Sequence, residues 1–199
     1  MIKVAITGNI GSGKTMVCRI FETLFIPVFY ADKEAKDLYD NPKVKEKVIM
    51  AFGDDVYNKN GKINKAVLAS IVFSEKSALK KINEIIHPAL FNKYNNWLKK
   101  HQNSIYTIHE AAVLFENHFE NYFDFIIYVY APQKLRLERV VKRDNISKEE
   151  VLKRMNHQWA DDIKSKMSDF VIVNDEKSFL IPQVLKIHQN LLIKKESNE

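Results

Sequence analysis

Cysteine is nearly absent from this sequence of 199 residues, where Cys18 stands alone. One thiol excludes an intramolecular disulfide framework and a cysteine-built zinc cluster, and it suits a reducing compartment. Glycine and proline are scarce too, at five each, far below collagen-like or low-complexity levels. Long apolar runs are missing. Stretches such as Phe125 to Ala131 fall well short of the roughly 18 residues that a membrane span needs. The apolar start Ile2 to Thr7 passes straight into glycine and lysine, without the apolar stretch and cleavage site of a secretory signal. The expectation is a cytoplasmic protein that neither crosses nor sits on a membrane. What is present is ordinary for one folded domain: 46% hydrophobic and 28% charged residues, in a chain able to bury about 70% of its unfolded surface without metal or crosslinks.

Three of the five glycines crowd into one place, Gly8-Asn9-Ile10-Gly11-Ser12-Gly13-Lys14-Thr15, which fits G-x-x-x-x-G-K-[ST] at every fixed position. The context is the one such a loop requires. Lys3 to Thr7 reads as a buried parallel strand, and Thr15 to Leu24 places Val17, Ile20, Phe21 and Leu24 at helical spacing. Backbone N–H groups converge on phosphate oxygens only where the chain can approach closely, and the following helix adds its positive end. Gly8, Gly11, Ser12, Gly13, Lys14, Thr15 and Met16 are therefore expected to hold a nucleotide. Lys14 should reach the β- and γ-phosphates, and the Thr15 hydroxyl should ligate Mg²⁺. The loop fixes phosphate binding and leaves the acceptor open.

Strands are expected at Pro27 to Tyr30, Ile105 to His109, Phe125 to Tyr130 and Phe170 to Val173. Between the second and third, residues 34–103 read as helix after helix. Asn41 caps one that starts at Pro42 and stops at Gly53, and two more, Ser74 to Ile86 and Pro88 to Lys100, are separated at His87-Pro88. Further helices fit Gln133 to Arg143, Lys148 to His157 and Phe179 to Ile193, before a charged tail, Lys194 to Glu199, that should fray. Strands alternating with helices predict an α/β fold with a parallel sheet covered on both faces and its ligand at the carboxyl ends of the strands. The helical insertion is a natural place for a substrate pocket. Cys18, Trp97 and Trp159 read as packing residues.

The formal net charge is +6, and residues 133–166 alone carry ten Lys or Arg against six Asp or Glu. Arg136, Arg139 and Arg143 stand at i, i+3 and i+7, one stripe of a helix suited to closing over a triphosphate. Arg139 and Arg143 are the candidates for that role. No nucleic-acid-binding signature accompanies the basic charge, so nucleic acid is not expected as a partner.

These residues resemble one family, dephospho-coenzyme A kinase. Gly8 to Thr15 resembles its G-G-I-G-S-G-K-S loop, with Asn9 in place of the second glycine. Tyr30-Ala31-Asp32 falls where the family has D-A-D, and Ile86-His87-Pro88 is similar to its L-H-P. Glu110 to Glu116 resembles [DE]-x-P-L-L-F-E, with Ala112 for the proline, and Arg139 to Asp144 resembles R-x-x-x-R-D. Gln158, Lys164, Asp169 and Asn174 keep the spacing of Q-x5-K-x4-D-x4-N. The resemblance implies transfer of the γ-phosphoryl group of ATP to the ribose 3′-hydroxyl of dephospho-coenzyme A, the last step of coenzyme A biosynthesis. It also implies a P-loop kinase fold with a five-stranded parallel sheet in three parts: a core at about 1–33, 104–140 and 166–193, a helical acceptor-binding region at about 34–103, and a lid at about 141–165.

On this reading Asp32 orients the acceptor hydroxyl and takes its proton late, because a loose phosphoryl transition state asks little of its nucleophile. The lesser alternative for this residue is a cap of the helix that follows. Asn174 is expected beside adenine. Glu110 fits either a group holding magnesium waters or acceptor, or a carboxylate at the core edge, and His87 stays open between turn residue and chemical group. Lys36 stands where the family usually has arginine, which exchanges a fork for a point charge. A monomer acting on small molecules is the default. The rivals are another P-loop kinase of small molecules or nucleoside monophosphates, and a non-catalytic nucleotide switch.

Overall fold

The structure, a computed structural model, describes residues 1–74 and 76–196. The chain divides into two compact units, Met1–Tyr30 with His101–Glu199, and Ala31–Lys100.

The first unit is built on five parallel strands: β1 (Ile2–Thr7), β2 (Val28–Tyr30), β3 (Tyr106–Glu110), β4 (Phe125–Tyr130) and β5 (Phe170–Val173), in the order β2-β3-β1-β4-β5. β1 is central because its side chains are buried on both faces, as continuous β-branched and apolar runs require in a covered parallel sheet. Its register sets Ile6 beside Glu110 of β3 and Ile127 of β4, so the carboxyl ends of the inner strands lie level. One face packs against α1 (Lys14–Thr23) and α9 (Leu180–Glu196), through Val17, Cys18, Phe21, Val184, Ile187 and Leu191. The opposite face buries Ala5, Leu114, Phe115 and Ile126, with Trp159 against them; its ring stacks on that of Phe115 at 6.4 Å. A further cluster joins α6 (Gln133–Asp144) to α7 (Lys148–Asn156) through Val140, Val151 and Met155, and Ile10 of the phosphate loop packs into it. Between α7 and β5 lies α8 (Asp161–Lys166), which the sequence reading did not anticipate; six residues are too few to display a period. α9 runs three residues past its expected end at Ile193, and of the expected fraying tail residues 197–199 lie outside the described residues.

The second unit is helical. It holds α2 (Ala31–Asp37), α3 (Pro42–Phe52), α4 (Lys65–Ser74) and α5 (Lys76–Lys100) around Val44, Val48, Val56, Leu68, Ile82 and Ile86. α3 begins and ends as expected: the Asn41 side chain accepts from the amides of Lys43 and Val44, and Gly53 closes the helix. α5 corrects the expected break. It continues through Pro88, because a proline removes one intrahelical bond while Ile82, Ile86, Ala89 and Leu90 on both sides share one apolar cluster that holds the axis. The polar turn at Asn58 to Gly61 is closed by a single antiparallel bridge, Tyr57 to Ile63.

Candidate active site

β1 ends at Thr7, α1 starts at Lys14, and the loop between them holds its shape through contacts that exclude side chains. A Cβ on Gly11 would stand 2.6 Å from the Arg136 carbonyl oxygen, and one on Gly13 would stand 2.1 Å from the Asn174 amide nitrogen; both residues have positive φ, 79° and 93°. Gly13 also occupies the cap position of α1 and can offer no side-chain cap, so the first turn keeps amide groups for a ligand. Met16 spends its own amide on the Gly13 carbonyl at 2.9 Å. The Ser12 hydroxyl is buried without a hydrogen-bond partner, as is Thr7 Oγ1 at the end of β1. Orphaned polar atoms of this kind mark a place built for something polar.

Lys14 turns back over the loop. Its ammonium donates to the Gly8 carbonyl at 3.0 Å and lies 3.6 Å from Glu110 Oε1, with both side chains about nine-tenths buried. Glu110 is the last residue of β3, so the sheet itself delivers the carboxylate to the loop. Tyr30, last of β2, is its register partner. Asp32 lies two residues further along the chain, in the first turn of α2, and is exposed; it thus follows the strand end rather than belonging to the strand.

The arginine stripe is divided among three tasks. Arg136 is buried, donating to the Ala131 carbonyl at 2.9 Å and to Asp161 Oδ2 at 2.8 Å. Arg139 reaches the loop, within 3.4 Å of the Gly11 carbonyl and 3.3 Å of the Asn174 carbonyl, with Glu176 at 3.2 Å. Arg143 is not brought to the loop. Asp144 beside it grips its guanidinium at two points, 2.7 and 3.0 Å, and this hydrogen bonding raises its pKa. Asn174, just past β5, donates its amide to the Ser12 carbonyl at 2.7 Å, so this side chain supports the loop from below.

The residues present fit a magnesium ion. Thr15 is exposed in the first turn of α1, and a buried carboxylate stands by Lys14. Few protein oxygens, completed by phosphate and water, are what magnesium takes. Among the described residues no group of three or more His, Cys, Asp and Glu forms a protein-only metal site.

The family model for dephospho-CoA kinase matches residues 2–179 of this chain. The chain belongs to the dephospho-CoA kinase family. The dephospho-CoA kinase of Bacteroides fragilis is 37% identical over 188 residues, covering 94% of this chain and 91% of the relative. Among solved structures, a Thermus thermophilus protein superposes with a TM-score of 0.88 at 29% identity, over 96% of this chain and 97% of that one. The dephospho-CoA kinase of Campylobacter jejuni gives 0.68 at 26% identity, over 99% and 98%. The parallel sheet, the phosphate loop and these likenesses place the fold among the P-loop kinases, which take ATP as phosphoryl donor.

Sequence reasoning passed over one residue of this dephospho-CoA kinase family site. Asp161 accepts hydrogen bonds from Asn9, Tyr128 and Arg136, yet in the sequence it is one carboxylate in a charged stretch. Glu116 and Lys164, which the resemblance had singled out, form a buried pair at 2.6 Å, and Glu116 also accepts from the Trp159 amide at 2.9 Å. Burial lowers the Lys164 pKa, against the pull of Glu116. Gln158 accepts from the Ile10 amide at 2.7 Å. In the helical unit, an open groove of about 560 Å³ runs along α5, lined by Leu79, Lys80, Asn83, Glu84, His87 and Pro88. His87 lies inside the helix, not in a turn, and burial lowers its pKa. No described helix is long and apolar enough to cross a membrane.

Proposed function

We propose that this chain transfers the γ-phosphoryl group of ATP to the 3′-hydroxyl of dephospho-coenzyme A, giving ADP and coenzyme A. The observation that carries the reading is the loop at residues 8–15, with the Lys14 ammonium folded over it beside Glu110, in a chain matched by the dephospho-CoA kinase family over residues 2–179. Amides of the loop and α1 receive the triphosphate, and Lys14 neutralises charge on the β- and γ-phosphates as the bond breaks. Arg139, placed against Gly11 and Asn174, adds a second cation on the loop side. Arg143 joins it once released from Asp144. Magnesium, when bound, screens phosphate oxygens that would repel the incoming hydroxyl; Thr15 supplies its protein ligand. Asp32 orients that hydroxyl and accepts its proton late. Residues 34–103 hold the acceptor, with Lys36 and the α5 groove as contacts, and residues 141–165 act as lid; of that stretch, Gln158, Asp161 and Lys164 are bonded to Ile10, Arg136 and Glu116. The working form is a cytoplasmic monomer that acts on small molecules and not on nucleic acid.

The test is product analysis after incubation with ATP, Mg²⁺ and a panel of acceptors: dephospho-coenzyme A, nucleoside monophosphates, nucleosides and shikimate. A new 3′-phosphate on dephospho-coenzyme A alone is expected. Turnover of another acceptor in its place, or ATP hydrolysis without transfer, overturns the proposal.

A further inference from the structure

The phosphate loop of this chain departs from G-G-I-G-S-G-K-S at two residues, Thr15 for the closing serine and Asn9 for the second glycine, and Asn9 is tied by its side chain to residues far along the sequence. Its side chain is 4% exposed. The amide nitrogen donates to Asp161 Oδ1 at 2.7 Å and to the Trp159 carbonyl at 3.2 Å, across 152 and 150 residues of sequence. Next to it, the Ile10 amide donates to Gln158 Oε1 at 2.7 Å. A glycine at position 9 would retain the backbone path and lose both side-chain bonds.

Asp161 is the other half of the contact. Its Oδ1 accepts from Asn9 and from the Tyr128 hydroxyl, and its Oδ2 accepts from Arg136 at 2.8 Å. Arg136 is 4% exposed and also donates to the Ala131 carbonyl. One carboxylate thus gathers the phosphate loop, the inner strand β4 and the basic helix α6. Hydrogen bonding to the carboxylate keeps Tyr128 in its protonated, donating form; burial first, and then the Asp161 bond, raise the phenol pKa. The neighbours reinforce the anchor: Trp159 stacks on Phe115, and Lys164 is held by Glu116.

We propose that Asp161 is a positioning residue for the phosphate loop, acting through the Asn9 amide, and that this latch presets the loop for the triphosphate. The proposal rests on the kinase reading for its biological meaning. Its physical content is a free-energy relation between two side chains and nucleotide affinity. A loop already held in its binding shape loses less conformational freedom when phosphate arrives. The loop has two rims. Asn174 holds the inner one at Ser12, and Asn9 and Ile10 are held on the outer one by residues 158–161. Loss of the latch should therefore appear as weaker ATP binding at unchanged fold, because Ile10 stays packed against α6 and α7.

The test is a double-mutant cycle on the full chain with Asn9→Gly and Asp161→Ala, read by calorimetry of ATP binding with Mg²⁺ and by thermal unfolding. Asn9→Gly is expected to weaken ATP binding about 5- to 10-fold, a part of the worth of one charge-assisted hydrogen bond, with Tm within a degree or two of the parent. Asp161→Ala also unpairs Arg136 and should lower Tm. In the Asn9→Gly background, however, it should cost ATP affinity at least 3-fold less than in the parent. A matching swap, Asn9→Asp with Asp161→Asn, should bind ATP more tightly than Asn9→Asp alone, where two carboxylates face each other. Additive effects on affinity, no rescue by the swap, or loss of Tm with unchanged affinity each overturn the latch. Because ATP binding needs no acceptor, failure of the latch leaves the parent's product assay untouched, and failure of the kinase reading shows in that assay alone.

Discussion

A histidine in the middle of a sheet has to be neutral. His109 in β3 lies with its ring stacked on Phe29 at 5.4 Å and against Phe123 at 5.0 Å, and burial pulls its pKa down to about 4. The unfolded chain then binds a proton that the folded chain refuses. Stability is full above the unfolded value near 6.5 and is lost as pH falls from there to about 4, by roughly 3 kcal/mol over that window. Urea titrations of His109→Phe at pH 7 and pH 4.5 should show a flatter acid limb than the parent; parallel limbs would remove His109 as the cause. The roles proposed for Asp32 and Arg143 concern catalysis instead. Asp32→Asn should lower kcat by 10²-fold or more, in the range of a lost general base, and leave ATP affinity within about 2-fold, as isothermal titration would register. Unchanged turnover disproves the assignment. For Arg143, whose guanidinium is occupied by Asp144, the alanine variant should depress kcat more than KM; a change in KM alone ties it to ground-state binding.

At the scale of elements, local chemistry made some boundaries readable. Asn41-Pro42 and Gly53 announced α3, and the structure returns the cap bonds at 3.1 and 3.3 Å. Asn41→Ala should cost about 1 kcal/mol, seen as a lower urea midpoint with an unchanged slope. A value near zero would mean that packing alone starts the helix. Ser147 and Glu150 form a reciprocal capping box at the start of α7. Elements whose cause is not local stayed hidden. α4 is apolar on most sides, Lys65–Ser74 offering no stripe to read, and α8 is too short for one. Pro88 reads as a stop because the rule is local, whereas α5 is held by a cluster assembled from several helices. The same division runs through the site. Lys14 and its glycines lie close together in sequence and are legible; Asp161 meets Asn9 only because the fold brings residues 152 apart together. The arginine spacing fixed one face of α6 but not which neighbour each guanidinium would meet.

For the whole molecule, a site made from chain segments this distant couples ligand to stability. ATP at 100 times its Kd should stabilise the fold by about 2.7 kcal/mol, which for a domain of this size is a rise of roughly 5–10 °C in Tm. Lys14→Ala should abolish the rise; differential scanning fluorimetry with and without Mg-ATP reads both, and an undiminished shift in the variant would show that the ammonium is dispensable for binding. Cys18 offers a separate use. It is wholly buried in α1, and burial pushes its thiol pKa well up. An alkylating reagent meets this sulfur only after α1 has lifted from the sheet, so the labelling rate of a single atom serves as a clock for spontaneous opening next to the phosphate loop, without any engineered probe.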